Sequence, residues 1–174
     1  MAGSLIVYST VDGHTKAIAE RLRDQLAARG GAVTLAPIDK RPGTALSAFD
    51  RIVVGACIRY GKHRPEVYDF IERNAGVLQR RPNAFFSVNV VARKPGKDTP
   101  EGNPYVRKFL REIAWQPALV GVFAGKIDYK RYSLVDRNVI RLIMLMTNGP
   151  TDPNACVDFT DWSAVEAFGR RLAP

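Results

Sequence analysis

The sequence predicts an α/β fold in which a doubly wound, five-stranded parallel sheet lies between two layers of helices. Two observations indicate this class, and a third indicates a single domain. Short apolar runs alternate with segments whose apolar residues recur at helical spacing, as in βαβ units. The runs are apolar at successive positions, which is typical of parallel strands buried on both faces. The 174 residues show no internal repeat and no linker, so we expect a single domain over residues 1–174.

The first strand is predicted at residues 5–8, and Ile18, Ala19, Leu22 and Leu26 then recur at helical spacing. A loop at a helix N-terminus can bind phosphate through free amide groups and the helix dipole. Local chemistry alone leaves an ordinary capped turn as an equal alternative. The loop in question is rich in hydroxyls and consists of Ser9, Thr10, Val11, Asp12, Gly13, His14 and Thr15.

The middle of the chain continues the alternation. A helix is predicted to begin at Pro65, which suits the first helical turn. The preceding residues 57–64 form a polar, aromatic and basic loop, and Pro42 with Gly43 marks another loop. Strands two, three and four are predicted at residues 32–37, 51–56 and 84–91. The helix is expected to turn inward the side chains of Val67, Phe70, Ile71 and Leu78.

A polar loop and a short helix are inserted between the fourth and fifth strands. The loop, residues 92–104, contains three prolines and two glycines, and the short helix is predicted at residues 105–115. The fifth strand follows at residues 119–124. Because loops of this length in compact domains are usually functional or mobile, we expect a role for this one.

Two helices complete the chain. Ser133 is the predicted N-cap of a helix over residues 134–146, which is apolar around most of its circumference. We expect one side of this helix to be buried and the rest to contact a membrane surface, because Lys130, Arg131, Arg137 and Arg141 lie nearby. Thr160 or Asp161 is expected to cap the final helix, whose apolar stripe consists of Trp162, Val165, Phe168 and Leu172.

Three loops follow strands and are expected to meet. Right-handed crossovers place the carboxyl ends of parallel strands at one edge of a sheet, where ligands of this fold class bind. The loops at residues 9–15, 57–64 and 87–93 are therefore expected to form one site, although they are distant in sequence.

Composition limits the classes of partner. Lys and Arg exceed Asp and Glu by 26 − 17 = 9, which points to an anionic partner such as nucleic acid, anionic lipid or a polycarboxylate. No nucleic-acid motif is present and the positive residues are dispersed, so no nucleic-acid partner is expected. Cys57 and Cys156 form no C-x-x-C pair, so no metal site is expected. We expect both to be buried, reduced thiols. With no signal-peptide pattern and no apolar run of ~18 residues, we expect a soluble or peripheral protein.

The S-T-x-x-G-x-T pattern of residues 9–15 resembles the phosphate loop of flavodoxins. Longer segments look like the quinone-dependent protoporphyrinogen oxidase (dehydrogenase) family, which is flavodoxin-like. They lie at residues 8–15, 55–61, 85–95, 105–110, 132–144 and 159–162, and cover almost the whole chain in order. The resemblance implies bound flavin mononucleotide (FMN), protoporphyrinogen IX as substrate, and menaquinone or ubiquinone as acceptor, in haem biosynthesis. It further implies a cytoplasmic protein on the cytoplasmic face of the inner membrane, and leaves a homo-oligomer open.

The resemblance also assigns site residues. The loop from Ser9 to Thr15 matches the phosphate loop. One side of the flavin ring is expected to meet Ile58, Arg59, Tyr60 and Gly61, and the other side Ser87, Val88, Asn89 and Val90. Arg93, Lys94 and Lys97 are natural partners for substrate propionates, because cations recognise carboxylates through charge-assisted hydrogen bonds. A solvated loop is the alternative for those three, and the sequence identifies no catalytic acid or base.

A second function stays open. A flavodoxin-type electron carrier without enzymatic activity would need the same cofactor loops. The basic net charge and the long loop at residues 92–104 argue against it, because flavodoxins that carry electrons between soluble proteins are typically acidic.

Overall fold

The computed structural model describes residues 3–39 and 45–173, so the loop predicted at Pro42 and Gly43 lies outside the described residues. The strands are β1 Ser4–Ser9, β2 Val33–Pro37, β3 Arg51–Arg59, β4 Lys62–His63, β5 Asn83–Val88, β6 Val120–Phe123, β7 Lys126–Asp128 and β8 Cys156–Asp158. The helices are α1 His14–Ala27, α2 Pro65–Arg80, α3 Pro104–Glu112, α4 Leu134–Met146 and α5 Trp162–Leu172.

Five strands form a parallel sheet in the order β2-β1-β3-β5-β6, as the sequence predicts. Neighbours are in register along their centres; Val7 pairs with Val54, and Val54 with Phe85. The chain moves outward in one direction from β1 to β2 and in the other from β3 to β6. This reversal places a crevice at the carboxyl ends of β1 and β3, where ligands bind in such sheets.

Helices cover both faces of the sheet, which confirms the three-layer expectation. Successive β1 residues point to opposite faces: Ile6 packs in the cluster of α1 and α5, and Val7 packs in that of α2 and α3. The first cluster includes Ile18, Leu22, Val165 and Phe168. The second includes Ile71, Phe85, Phe109 and Trp115.

Two predicted boundaries are wrong beside the crevice. β3 continues to Arg59 and turns at Tyr60 and Gly61, whose φ angles are 49° and 80°, into the antiparallel strand β4. Residues 57–59 and 62–63 are thus strand, whereas the sequence analysis expected loop. β5 ends at Val88 and not at residue 91, because Asn89 accepts a hydrogen bond from the Ala92 amide and starts a 3-10 turn.

The region after β6 differs most from expectation. β7 and β8 pair as a separate two-stranded sheet on either side of α4, which the sequence analysis missed because each strand has three residues. Ser133 caps α4 as predicted, accepting from the Asp136 amide. Asp161, rather than Thr160, caps α5.

Before β6, helix α3 ends at Glu112, three residues before the predicted end.

Candidate functional site

A pocket that is partly open to solvent lies at the carboxyl ends of β1, β3, β5 and β6. The three predicted loops meet there. Among the sequence-predicted residues, those on its wall are Thr10, Val11, Asp12, His14, Thr15, Ile58, Arg59, Tyr60, Gly61, Val88, Asn89, Val90 and Arg93. Those outside the lining are Ser9, Gly13, Ser87, Lys94 and Lys97.

The loop at the start of α1 has the features of an anion site. Gly13 precedes the helix with a φ of 83°, a conformation that glycine adopts without strain. Ala17 donates the first helical hydrogen bond, to the Gly13 carbonyl, and no side chain caps the helix. The amides of the first three helical residues are therefore free donors at the positive end of the helix dipole.

Two threonines of this loop differ in their bonding. Thr10 Oγ1 accepts a hydrogen bond of 3.0 Å from the Gly13 amide, which closes the loop. Thr15 is 1% exposed, and its hydroxyl lies near the Cys57 thiol but makes no hydrogen bond of ordinary geometry to the described residues. Buried polar groups are nearly always paired. An unpaired hydroxyl beside free amides therefore fits the phosphate group that the loop resemblance implies.

Arg59 joins the loop that precedes α1 to α4. Its guanidinium lies 3.2 Å from carboxylate oxygens of both Asp12 and Asp136, and 5.6 Å from the centre of the Tyr132 ring. Tyr60 donates a hydrogen bond to Asp136, and this bond is the main cause that lowers the pKa of that carboxyl. Arg59 is therefore paired with two carboxylates while it lines the pocket.

Helix α4 supplies an apolar wall that sequence reasoning did not place at the site. Its apolarity around most of the circumference was the available signal, but it was interpreted as burial plus membrane contact. Met144 is the residue of α4 that is fully buried in the protein. The lining residues outside the three predicted loops, which sequence reasoning missed, are Tyr105, Gly125, Lys126, Tyr132, Val139, Ile140, Ile143, Met144 and Thr147.

The cations predicted for substrate binding are placed differently from one another. Arg93 lies on the pocket wall and donates to the Val90 carbonyl and to both oxygens of Thr147, just beyond α4. It thereby ties the end of α4 to the turn after β5. Lys94 and Lys97 are half-buried in the following loop and do not line the pocket.

Burial shifts the pKa of two titratable groups on the wall. Burial lowers the pKa of His14, whose Nε2 lies 2.6 Å from the Thr160 hydroxyl. Burial likewise raises the pKa of the half-buried Cys57 thiol. Cys156 is exposed, so the expectation that both thiols are buried is wrong. Within residues 3–39 and 45–173, no group of three or more His, Cys, Asp or Glu side chains is arranged to hold a metal ion.

Comparison with known proteins agrees with this geometry. The model of a family described as a flavodoxin domain matches residues 5–154. The protoporphyrinogen IX dehydrogenase [quinone] of Escherichia coli strain K12 is 42% identical over 170 residues, covering 98% of this chain and 94% of that protein. The chain belongs to this flavodoxin-domain family of protoporphyrinogen IX dehydrogenases.

A second member of the dehydrogenase family, from Leishmania major, is 41% identical and covers 97% of this chain and 74% of that protein. Solved structures show the fold. An archaeal flavodoxin superposes with a TM-score of 0.57 at 18% identity, covering 98% of this chain and 96% of the other. Flavodoxin 1 from Bacillus cereus gives a TM-score of 0.58 at 14% identity, with 98% and 97% coverage. The flavodoxin-like fold of the family is therefore that of this chain.

Proposed function

We propose that this chain is an FMN-dependent enzyme that oxidises protoporphyrinogen IX to protoporphyrin IX with a membrane quinone as acceptor. The observation that carries the proposal is 42% identity to a protoporphyrinogen IX dehydrogenase over 98% of the chain. The reaction removes six electrons and six protons from the macrocycle, and three quinones take them up as quinols.

The phosphate loop supports FMN as the particular flavin. Free amides at the start of α1 and the unpaired Thr15 hydroxyl would hold its phosphate, and no Lys or Arg is needed there. The flavin, when bound, supplies the two-electron redox chemistry. The chain's own contribution is to bind and orient the reactants and to exclude water from between them.

The pocket wall supports a large, mostly apolar reactant. Ile58, Val90, Ile140 and Ile143 give apolar surface, and Tyr105 and Tyr132 give aromatic surface. Arg93 is the residue of the predicted propionate-binding set that lies on this wall. Its guanidinium can recognise a carboxylate through charge-assisted hydrogen bonds.

Helix α4 supports peripheral contact with an anionic membrane at the cytoplasmic face. Its exposed side chains include Leu134, Val135, Leu142, Leu145 and Met146, each more than half exposed. Lys130, Arg131 and Arg141 are exposed beside them and suit anionic headgroups. Among the helices of the described ranges, none combines the length and apolarity needed to traverse a bilayer.

An anaerobic assay tests the function. Purified protein loaded with FMN is mixed with protoporphyrinogen IX and either a menaquinone or a ubiquinone analogue, and porphyrin fluorescence is followed. We expect porphyrin to form only when quinone is present, at three quinones per porphyrin. Bound flavin without quinone-dependent turnover would instead favour the electron carrier, and absence of flavin absorbance would contradict both.

A further inference from the structure

Four buried polar side chains form a chain of hydrogen bonds behind the pocket wall. Ser87 and Asn103 are 0% exposed, His63 is 1% and Asn89 is 4% exposed. His63 Nε2 lies 3.0 Å from Ser87 Oγ, Asn89 Nδ2 lies 3.3 Å from the same oxygen, and Asn103 Nδ2 lies 3.0 Å from Asn89 Oδ1. The series connects the β4 hairpin, the end of β5 and the start of α3.

Each member of the series bonds to the next. Ser87 Oγ accepts from the Asn89 amide, and it bonds His63 Nε2 as donor or acceptor according to the histidine tautomer. Asn103 uses all four of its bonds: its amide donates to Asn89 and to the Lys97 carbonyl, and its oxygen accepts from the amides of Tyr105 and Val106. Asn103 is thus fully satisfied and fixes one arrangement of the backbone around it, whereas His63 Nδ1 is buried without a partner among the described residues.

The backbone that is fixed belongs to the site. Asn89, Val90 and Val91 line the pocket, and Asn89 sets their turn by accepting from the Ala92 amide. Tyr105, whose amide is held by Asn103, also lines the pocket. His63, Ser87 and Asn103 do not line it. They therefore act on the pocket through Asn89 and Tyr105.

We propose that His63, Ser87 and Asn103 are positioning residues that hold the Asn89–Val91 wall and Tyr105 in the geometry needed to bind the flavin and the substrate. This inference rests on the proposed function for the identity of those ligands. The network places the 92–104 loop as well, because Asn103 also binds the Lys97 carbonyl. The Asn103 side chain thus connects the Asn89–Val91 wall to the 92–104 loop.

Matched variants separate positioning from simple stability. Asn103→Asp keeps the oxygen that caps α3 but loses both amide donors. Asn83→Asp is its control, because Asn83 also donates twice, to Leu78 and Arg81 carbonyls, and accepts once, from the Ala118 amide, at the opposite end of β5. Ser87→Ala is paired in the same way with Ser4→Ala, a buried serine at the start of β1.

Three readouts are taken: FMN affinity, the bound flavin's absorption and circular dichroism bands, and amide hydrogen exchange at residues 90–93 in flavin-free protein. We expect Asn103→Asp and Ser87→Ala to weaken FMN binding about tenfold, to shift the flavin bands and to speed exchange at residues 90–93. They should also lower kcat by more than they raise KM, because misplaced reactants lose rate. Asn83→Asp and Ser4→Ala should match the wild type in these readouts.

Equal FMN affinity, equal bands and equal exchange in Ser87→Ala and the wild type would overturn the positioning role and leave the proposed function intact. A wild type that binds no flavin would overturn the proposed function. In that case amide exchange at residues 90–93 still tests the positioning role. Faster exchange in Ser87→Ala but not in Ser4→Ala supports this role, and equal exchange in both variants overturns it.

Discussion

The hydroxyl of Thr15 lies buried at the start of α1 and makes no hydrogen bond of ordinary geometry to the described residues. An orphaned buried hydroxyl destabilises a protein unless a ligand satisfies it. Thr10 differs, because its oxygen already accepts from the Gly13 amide. Thr15 therefore leaves a hydroxyl available to an anion, whereas Thr10 closes the loop.

Thr15→Ala is expected to weaken FMN binding tenfold to a hundredfold, because a hydrogen bond to a charged group contributes about 1.5–3 kcal/mol. Thr15→Ser keeps the hydroxyl and should bind FMN nearly as the wild type does. Quenching of flavin fluorescence on binding measures both. Unchanged affinity in Thr15→Ala would remove Thr15 from the phosphate site.

His63 predicts a pH dependence of stability. Burial lowers its pKa from 6.5 to about 3, so between these values the unfolded chain binds a proton that the folded protein does not. Stability therefore falls as the pH drops below 6.5, by about 1.4 kcal/mol per pH unit for one such proton. Burial lowers the pKa of His14 in the same direction.

Urea unfolding at intervals from pH 7.5 to 5 measures this effect, in a range where carboxylates titrate little. His63→Gln should reduce the slope by about one proton's share, roughly 2 kcal/mol between pH 6.5 and 5. His14→Gln measures the contribution of His14 to the same pH dependence of the free energy of unfolding. A slope that is identical in His63→Gln and the wild type would mean that His63 is accessible to protons in the folded state.

Among the elements, α4 has two roles on two faces. Val139, Ile140 and Met144 form a pocket wall, whereas Leu142, Leu145 and Met146 are exposed. Polar contacts hold both ends, from Arg59 to Asp136 and from Arg93 to Thr147. Between these contacts, Met144 packs against Ile127 and Tyr129, and Arg137 donates to the Tyr129 carbonyl.

The exposed face predicts binding to anionic lipid. Leu145→Glu should abolish most co-flotation with vesicles that contain phosphatidylglycerol, because it places a charge on the apolar face and repels the headgroups. Thr34→Glu adds the same charge at an exposed position of β2 and should leave flotation unchanged. Equal flotation of Leu145→Glu and Thr34→Glu would remove α4 from the membrane interface.

The loop cations predict an effect on substrate. The double variant Arg93→Ala, Lys97→Ala should raise the KM for protoporphyrinogen about tenfold and leave FMN content unchanged, because a carboxylate loses charge-assisted bonds. The single variants should assign most of this effect to Arg93, since the Lys97 side chain does not line the pocket. Normal kinetics in the double variant would make the loop a solvated connector.

At the scale of the whole molecule, the net charge of +9 should favour a reduced, anionic flavin and raise its potential above that of acidic flavodoxins. Arg59 contributes less than an isolated cation, because Asp12 and Asp136 flank it. Its removal, however, leaves two carboxylates uncompensated. The direction of the effect is therefore the same as for an unpaired arginine.

Arg59→Glu should lower the two-electron potential, with each kcal/mol worth roughly 20 mV. Arg29→Glu, an exposed residue just beyond α1, makes the same change in net charge and should have a smaller effect. Spectroelectrochemical titration measures both. A wild-type potential as low as that of acidic flavodoxins, or equal potentials in the two variants, would contradict this expectation.

The sequence by itself determined the sheet, the first loop and most helices. Apolar periodicity and caps such as Ser133 act between residues within a few positions of one another, so they can be identified without knowing the chain path. The loop at residues 9–15 is of this kind, because its seven residues are consecutive.

Only the tertiary structure decided how distant residues pair. Arg59 lies 47 and 77 positions from its two carboxylates, and Arg93 lies 54 positions from Thr147. The pairing of β7 with β8 and the seat of α4 on the pocket are likewise non-local. A charged side chain or an apolar helix could pair with many other residues of the chain. The course of the backbone decides which of those partners lies close enough to make the contact.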